Sequence, residues 1–203
     1  MTRGAAAHST ALRVVVVAAA TALSAGCDYT HPRPVAAFSC PDPGTEFTFS
    51  QPLSMSLTDP GFRLRIGIGE HRGFDCRILS EVSGEHWLHA GLVDSRVSLE
   101  WRSAAEELWP LRVGNKSHAS FTRDGKIWAI DYEVAGYDRF AARAGLFDAY
   151  KVIETVRADG KPYSVAVVWW SPALGYVVSY NCVSSDHHND RAWEIAAIGD
   201  RPA

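Results

Sequence analysis

Along most of the chain beyond residue 60, apolar and polar side chains alternate with a period of two. In "FRLRIGIGEH", Phe62, Leu64, Ile66 and Ile68 share one side, while Arg63, Arg65, Gly67 and Gly69 share the other. Successive strand side chains point to opposite faces, so this is the mark of a half-buried strand. "RVSLEWR" groups Val97, Leu99 and Trp101 in the same way. "KIWAIDYEV" sets Trp128, Ile130, Tyr132 and Val134 against Ala129, Asp131 and Glu133. The breakers "DPG" at 59–61, "RDGK" at 123–126 and "ADGK" at 158–161 separate such runs, and Asp-Gly suits the primed turns that match strand twist. The pattern predicts about ten strands joined mostly as sequential hairpins. One short helix is expected in "SAAEELW" at 103–109.

An antiparallel meander of that length accumulates twist and does not stay flat. The predicted fold is therefore mainly β: a single long antiparallel meander curled into a half-barrel or open barrel, with a short helix. One strand adds a constraint. In "YSVAVVWW", Val165, Val167 and Trp169 form one apolar face and Ala166, Val168 and Trp170 the other, so both faces need cover. After the turn "SPALG", where Gly175 is expected at positive φ, "YVVSYNCV" returns with Tyr176, Val178, Tyr180 and Cys182 on one face. A concave side that is fully apolar and a convex side covered only locally would satisfy both strands.

The opening "MTRGAAAHSTALRVVVVAAATALSAGC" has Arg3 and Arg13, then a short apolar stretch, then small residues before Cys27. It reads as an export signal, too short to span about 30 Å of hydrocarbon as a permanent helix. "LSAGC" resembles the bacterial lipobox, with leucine four residues before the cysteine in place of three. The resemblance implies that Cys27 is acylated at its thiol and at the new amino terminus, palmitate being one such acyl group, and that the membrane is a partner through this anchor. Asp28 directly after it implies the periplasmic face of the inner membrane. Residues 28–43 hold four prolines without periodicity, the composition of a tether. The expected division is thus signal peptide 1–26, proline-rich tether 27–43 and antiparallel β domain 44–203, enough chain for one core.

Net charge is −3, and the leader carries two arginines and no acid, so the exported part is more acidic still. With no basic run or arginine-rich face, nucleic acid is not an expected partner. Beyond Cys27 three cysteines remain: Cys40, Cys76 and Cys182. Two of them are expected to pair in an oxidising compartment, and all three pairings are open.

"LWPLRVG" at 108–114, "YEVAGYDRF" at 132–140, "AGLFDAYKVIE" at 144–154 and "WWSPALGYVVSY" at 169–180 resemble, in order and spacing, an uncharacterised family of secreted or lipid-anchored bacterial proteins. That family carries "PLkvG", "AGtFdAykie" and "WYsPelGwvky" elements. The resemblance implies a curved antiparallel sheet like those of lipoprotein carriers, and no catalytic residue. "AARAG" stands where the family has "VPAG", a change confined to local turn geometry.

Recognisable catalytic patterns are missing: no nucleophile elbow, no P-loop, and no helix after the glycines of "RIGIGEHRG". Glu85, Glu100 and Glu133 show no sign of converging. The chain is expected not to be an enzyme and to need no cofactor. His86 and His89 fall on opposite faces of a strand, so no shared metal is expected there. His187 and His188, beside Asp186 and Asp190 in a polar loop, are weak metal candidates. The aromatic residues carry the functional reading. Trp101, Trp128, Trp169, Trp170, Tyr176 and Tyr180 are candidate contacts for an apolar ligand or lipid in the curved sheet. The expected role is a non-enzymatic binding module. The alternative is an envelope protein-protein interaction or assembly module that docks through an exposed aromatic patch.

Overall fold

In the computed structural model, residues 34–50, 63–184 and 191–200 are described. The chain divides into Met1–His31 and Pro32–Ala203, and every described residue belongs to the second unit. The leader, Cys27, and the histidine loop at 185–190 lie outside the described residues.

Eleven strands form one antiparallel sheet: β1 (Thr45–Ser50), β2 (Arg63–Arg72), β3 (Asp75–Ser80), β4 (Gly84–His89), β5 (Val93–Asp94), β6 (Lys116–Arg123), β7 (Lys126–Ala142), β8 (Gly145–Ala158), β9 (Lys161–Ser171), β10 (Tyr176–Ser184) and β11 (Arg191–Asp200). Their spatial order is β5-β4-β3-β2-β1-β11-β10-β9-β8-β7-β6, so the sheet is open and β5 and β6 are its edges. The meander therefore comes in two halves, β1–β5 and β6–β11. The pairing of β1 with β11, from Thr45 opposite Asp200 to Ser50 opposite Glu194, joins them. Hairpin patterning alone does not contain that pairing.

The segment between the two edges holds the helix, α1 (Leu99–Glu107). It begins earlier than the expected 103–109, and "RVSLEWR" is its first turn and not a strand. Ser98 decides this: its side chain caps the helix by accepting from the Trp101 amide, which satisfies one of the open N–H groups of the first turn. Ala104 and Ala105 are buried, while Leu99 is 72% exposed, as helical periodicity requires and strand alternation does not. Ser117 on β6 donates to the Ala104 carbonyl at 2.6 Å, which seats α1 on the sheet face that carries Ile130, Tyr132 and Val134.

Residues 34–43, expected as the second half of the tether, are bound to the domain. Ala36 and Leu111 exchange backbone hydrogen bonds of 3.1 and 2.8 Å, and Cys40 is disulfide-bonded to Cys76. The Tyr150 hydroxyl donates to the Pro34 carbonyl. Gly175, at φ +62°, lets the β9–β10 turn pass so close that an added Cβ would sit 2.9 Å from the Ser39 carbonyl oxygen.

The adjacent tryptophans do project to opposite faces. Trp170 pairs with Tyr150 on β8, and Trp169 with Lys151. Trp170 is fully buried, edge-on to Trp109 at 4.8 Å, and Trp109 in turn meets Phe38 at 5.2 Å. Trp169 is covered by the far end of the β7–β8 hairpin. Phe140 lies 5.0 Å from its ring, and the hairpin tip reaches β11, where the Ala144 amide donates to the Ile195 carbonyl at 3.1 Å. A bulge between Val177 and Ser179 breaks the alternation expected for 176–182, so residues 176–179 are all buried.

Candidate functional site

Cross-strand partners in an antiparallel sheet share a face, so the register identifies what lies beneath and beside α1. One row runs Tyr132, Glu154, Ala166, Cys182 from β7 to β10, and the next runs Ile130, Val156, Ser164, Ser184. The centre of this face, on β9 and β10, is thus paved with small side chains: Ala166, Cys182, Ser164 and Ser184. Of these, Ala166, Cys182 and Ser184 are buried.

Aromatic rings stand on both sides of this floor. Towards β6, Trp101 of α1 lies 6.5 Å from Phe121, Phe121 is opposite Trp128, and Trp128 meets Tyr163 edge-on at 5.1 Å. Towards β1, Tyr180 stacks on Trp193 at 5.5 Å, and Trp193 meets Phe49 edge-on at 4.5 Å. Phe49 is buried, but Trp101, Phe121, Trp128, Tyr163, Tyr180 and Trp193 are all only half-buried. Large rings thus flank small side chains across this face of the sheet.

Polar groups on this face form a short chain. The Trp101 indole N–H donates to the Tyr132 hydroxyl at 2.8 Å, and that hydroxyl donates to Glu154 Oε2 at 2.5 Å. Burial holds the Glu154 carboxyl above its ordinary pKa, although the Tyr132 and Trp101 hydrogen bonds work the other way. Burial, reinforced by the Glu154 charge, pushes the Tyr132 phenol well above its ordinary value. The Trp128 indole N–H is buried without a hydrogen-bond partner.

The structure thus brings together Trp101, Trp128 and Tyr180 of the residues expected from sequence. Trp170 and Tyr176 lie at the other end of the sheet; Tyr176 is stacked on Phe47 at 4.9 Å and buried. Trp169 is on the opposite face. Phe121, Tyr163, Trp193, Tyr132 and Glu154 are site residues that the sequence reading passed over. Glu154 had a signal: Val152 and Val156 are buried on either side of it on one strand face, so a carboxylate there interrupts an apolar register.

Elsewhere the charged groups pair locally. Glu85 binds Arg77 at 2.6 Å and Glu133 binds Lys116 at 3.2 Å, while Glu100 is exposed in the first turn of α1. His89 is buried between Asp75, 2.7 Å from Nδ1, and Glu106, 2.8 Å from Nε2 but off the hydrogen-bonding direction. These groups tie α1 to β3 and β4, and His86 is not among them. On the sheet face away from α1, His118 and Arg157 both bind Asp131 beside an open depression of about 700 Å³. Burial acts to raise the Asp131 pKa, but the His118 and Arg157 hydrogen bonds outweigh it and hold the carboxyl below its ordinary value. Among the described residues no group of three or more His, Cys, Asp or Glu is arranged to hold a metal, and no helix is long and apolar enough to cross a membrane.

No known protein family and no curated protein matches the chain. Among solved structures it is similar to the hypothetical lipoprotein YmcC of Escherichia coli, at 11% identity and TM-score 0.45, over 79% of this chain and 88% of that one. It is also similar to a protein described as exported, with a YmcC-like fold, from Bacteroides fragilis (10% identity, TM-score 0.42, 81% of this chain and 100% of that one). A third is a protein from Parabacteroides distasonis described as a lipoprotein (12% identity, TM-score 0.44, 82% of this chain and 100% of that one). Likeness at this level transfers no function.

Proposed function

We propose that this chain is a cell-envelope lipoprotein, anchored through Cys27 at the periplasmic face of the inner membrane, whose sheet holds an apolar ligand without catalysing a reaction. One observation carries the ligand reading: two walls of half-buried aromatic rings face each other across a floor of small side chains. Solvent contact on that many rings costs free energy, about 25 cal/mol for each Å² of apolar surface left wet. An apolar molecule lying between Trp101, Trp128 and Tyr180 removes that cost. The anchor reading rests on the sequence around Cys27.

Native mass spectrometry of the chain isolated from membranes, before and after organic extraction, tests the ligand reading. A bound lipid mass that extraction removes is the expected result. A ligand-free protein whose Trp128 and Trp193 fluorescence ignores added lipid overturns it.

A second reading has its own support on the opposite face. Val165 and Val183 are cross-strand partners there, 41% and 51% exposed, which is an apolar strip of the kind that docks another protein. Val183→Asp disrupts an envelope complex under that reading and leaves lipid binding unchanged, which in-cell crosslinking measures.

A further inference from the structure

We propose that β6 is a self-association edge, through which two copies of this chain pair antiparallel into one continuous sheet. The pairing needs no ligand and stands apart from the reading proposed above.

The two edges of the sheet are finished differently. β5 is two residues long, and its Asp94 carbonyl accepts from the Val97 amide at 3.1 Å, so that edge is short and closed by its own chain. β6 is eight residues long, and its register against β7 runs unbroken from Lys116 opposite Glu133 to Arg123 opposite Lys126. Between Lys116 and Arg123 it has no proline, lysine, arginine, aspartate or glutamate. Soluble proteins protect an edge by shortening, bulging, covering or charging it, and β6 shows none of these devices along its middle.

The backbone groups that face outward follow from β7. Ile127 turns towards β8, donating to Asp159 Oδ1 at 2.9 Å and accepting from the Asp159 amide at 2.7 Å. Val134 turns the other way, donating to the Asn115 carbonyl at 2.9 Å and accepting from the Gly114 amide at 2.8 Å. Bonding direction alternates along a strand, so β7 bonds β6 through Lys126, Trp128, Ile130 and Tyr132, opposite Arg123, Phe121, Ala119 and Ser117. Lys116, His118, Ser120 and Thr122 therefore aim their N–H and C=O groups away from β7. Among the described residues these groups have no backbone partner.

A second copy of the same edge satisfies all of them in one register. Lys116 then lies opposite Thr122 of the second copy and His118 opposite Ser120, as hydrogen-bonded pairs, with Ala119 opposite Ala119 on the two-fold axis. A shift of two residues either way leaves outward groups at the strand ends without a strand partner. In this register no like charges are opposed, because Lys116 meets a threonine and Arg123 meets Asn115. The odd-numbered residues share the α1 face, as the Ser117 bond to the Ala104 carbonyl shows. There the half-buried Phe121 ring lies opposite Ser117, and Arg123 comes in on the side of Glu107. Glu107 is exposed at the end of α1 and lines, with Lys116 and Ser117, the depression of about 700 Å³. The axis is normal to the sheet, so the α1 faces of both copies, each with Pro34 held by Tyr150, lie on one side. That arrangement suits two chains anchored in one membrane.

Disulfide trapping of the full-length chain in cells tests this, with Cys182→Ser in every variant and gels run without reductant. Ala119 pairs with itself about 4.5 Å apart at Cα, within disulfide reach. Ala119→Cys is expected to give a band of twice the chain mass, at least about tenfold stronger than Thr122→Cys, whose two copies lie about 20 Å apart along the edge. Ser120→Pro removes an N–H that the single chain does not use, so adding it to Ala119→Cys should abolish the band while the urea midpoint holds. If Ser120→Pro lowers the midpoint, the contrast between positions 119 and 122 decides alone. Equal bands from both cysteine variants, no band from Ala119→Cys, a band joining the chain to a different protein, or a band that survives Ser120→Pro overturns the proposal.

Discussion

The face of the sheet that carries α1 has two ends built from the same residue types and put to different use. At one end Trp170, Tyr150, Leu108 and Leu111 are fully buried, with Phe38, Trp109 and the 34–40 segment closing over them. At the other, Trp101, Trp128, Tyr180 and Trp193 are half-buried around a floor of alanine, serine and cysteine. An aromatic ring stabilises a core only when something meets both of its sides. At the packed end the N-terminal segment, the disulfide and the α1 connection supply that second surface. At the other end the rings keep part of their surface open to solvent, and under the ligand reading proposed above an apolar molecule covers it.

The sharpest way to break this contrast is to truncate one indole at each end. Trp170→Ala is expected to destabilise the fold by about 3–5 kcal/mol, as for a large side chain lost from a filled core. Trp128→Ala is expected to cost clearly less in urea unfolding, yet to abolish the lipid mass seen by native mass spectrometry. Equal costs at both ends would mean that both are core. Next in size is the Cys40–Cys76 bond, which spans a sequence separation of 36. Replacing both cysteines by alanine is expected to cost about 4 kcal/mol, read as a lower urea midpoint, with Cys182 remaining the free thiol. Gly175→Ala comes third. It places a Cβ against the Ser39 carbonyl at a positive φ, and a loss of about 1–3 kcal/mol in urea unfolding is expected.

The smallest effects separate the two faces by the sign of their pH dependence. Glu154 titrates higher in the fold than in the unfolded chain, so the unfolded state releases its proton first as pH rises. Stability from this group therefore falls from the unfolded value of about 4.3 up to the folded pKa. Asp131, on the other face, titrates lower in the fold. Its contribution is present above about pH 3.9 and is lost as pH falls through the folded pKa. Urea midpoints across pH 3 to 7 should therefore flatten in opposite senses for Glu154→Gln and Asp131→Asn. Changes of the same sign would contradict the assigned environments.

Much of this was legible residue by residue. The faces of Leu64, Ile66 and Ile68, and of Ile130, Tyr132 and Val134, follow from alternation alone, and so does the opposition of Trp169 and Trp170. The helix start was legible too, in Ser98 ahead of Ala104 and Ala105, but the alternation of Val97, Leu99 and Trp101 imitates a strand over so few residues. The candidate site was half legible. Trp101, Trp128 and Tyr180 stood out as large rings, whereas the small floor of Ala166, Cys182, Ser164 and Ser184 takes its meaning from four strands lying side by side.

Local chemistry therefore determined the strands, their turns and the buried face of each, because each depends on neighbours a few residues apart. Tertiary structure decided the β1–β11 pairing, the choice of Cys76 as the partner of Cys40, and which aromatic rings are core and which are wall. Those outcomes depend on contacts such as Tyr150 with Pro34, 116 residues apart. No periodicity encodes such contacts, because chain entropy disfavours each of them until the rest of the sheet has formed.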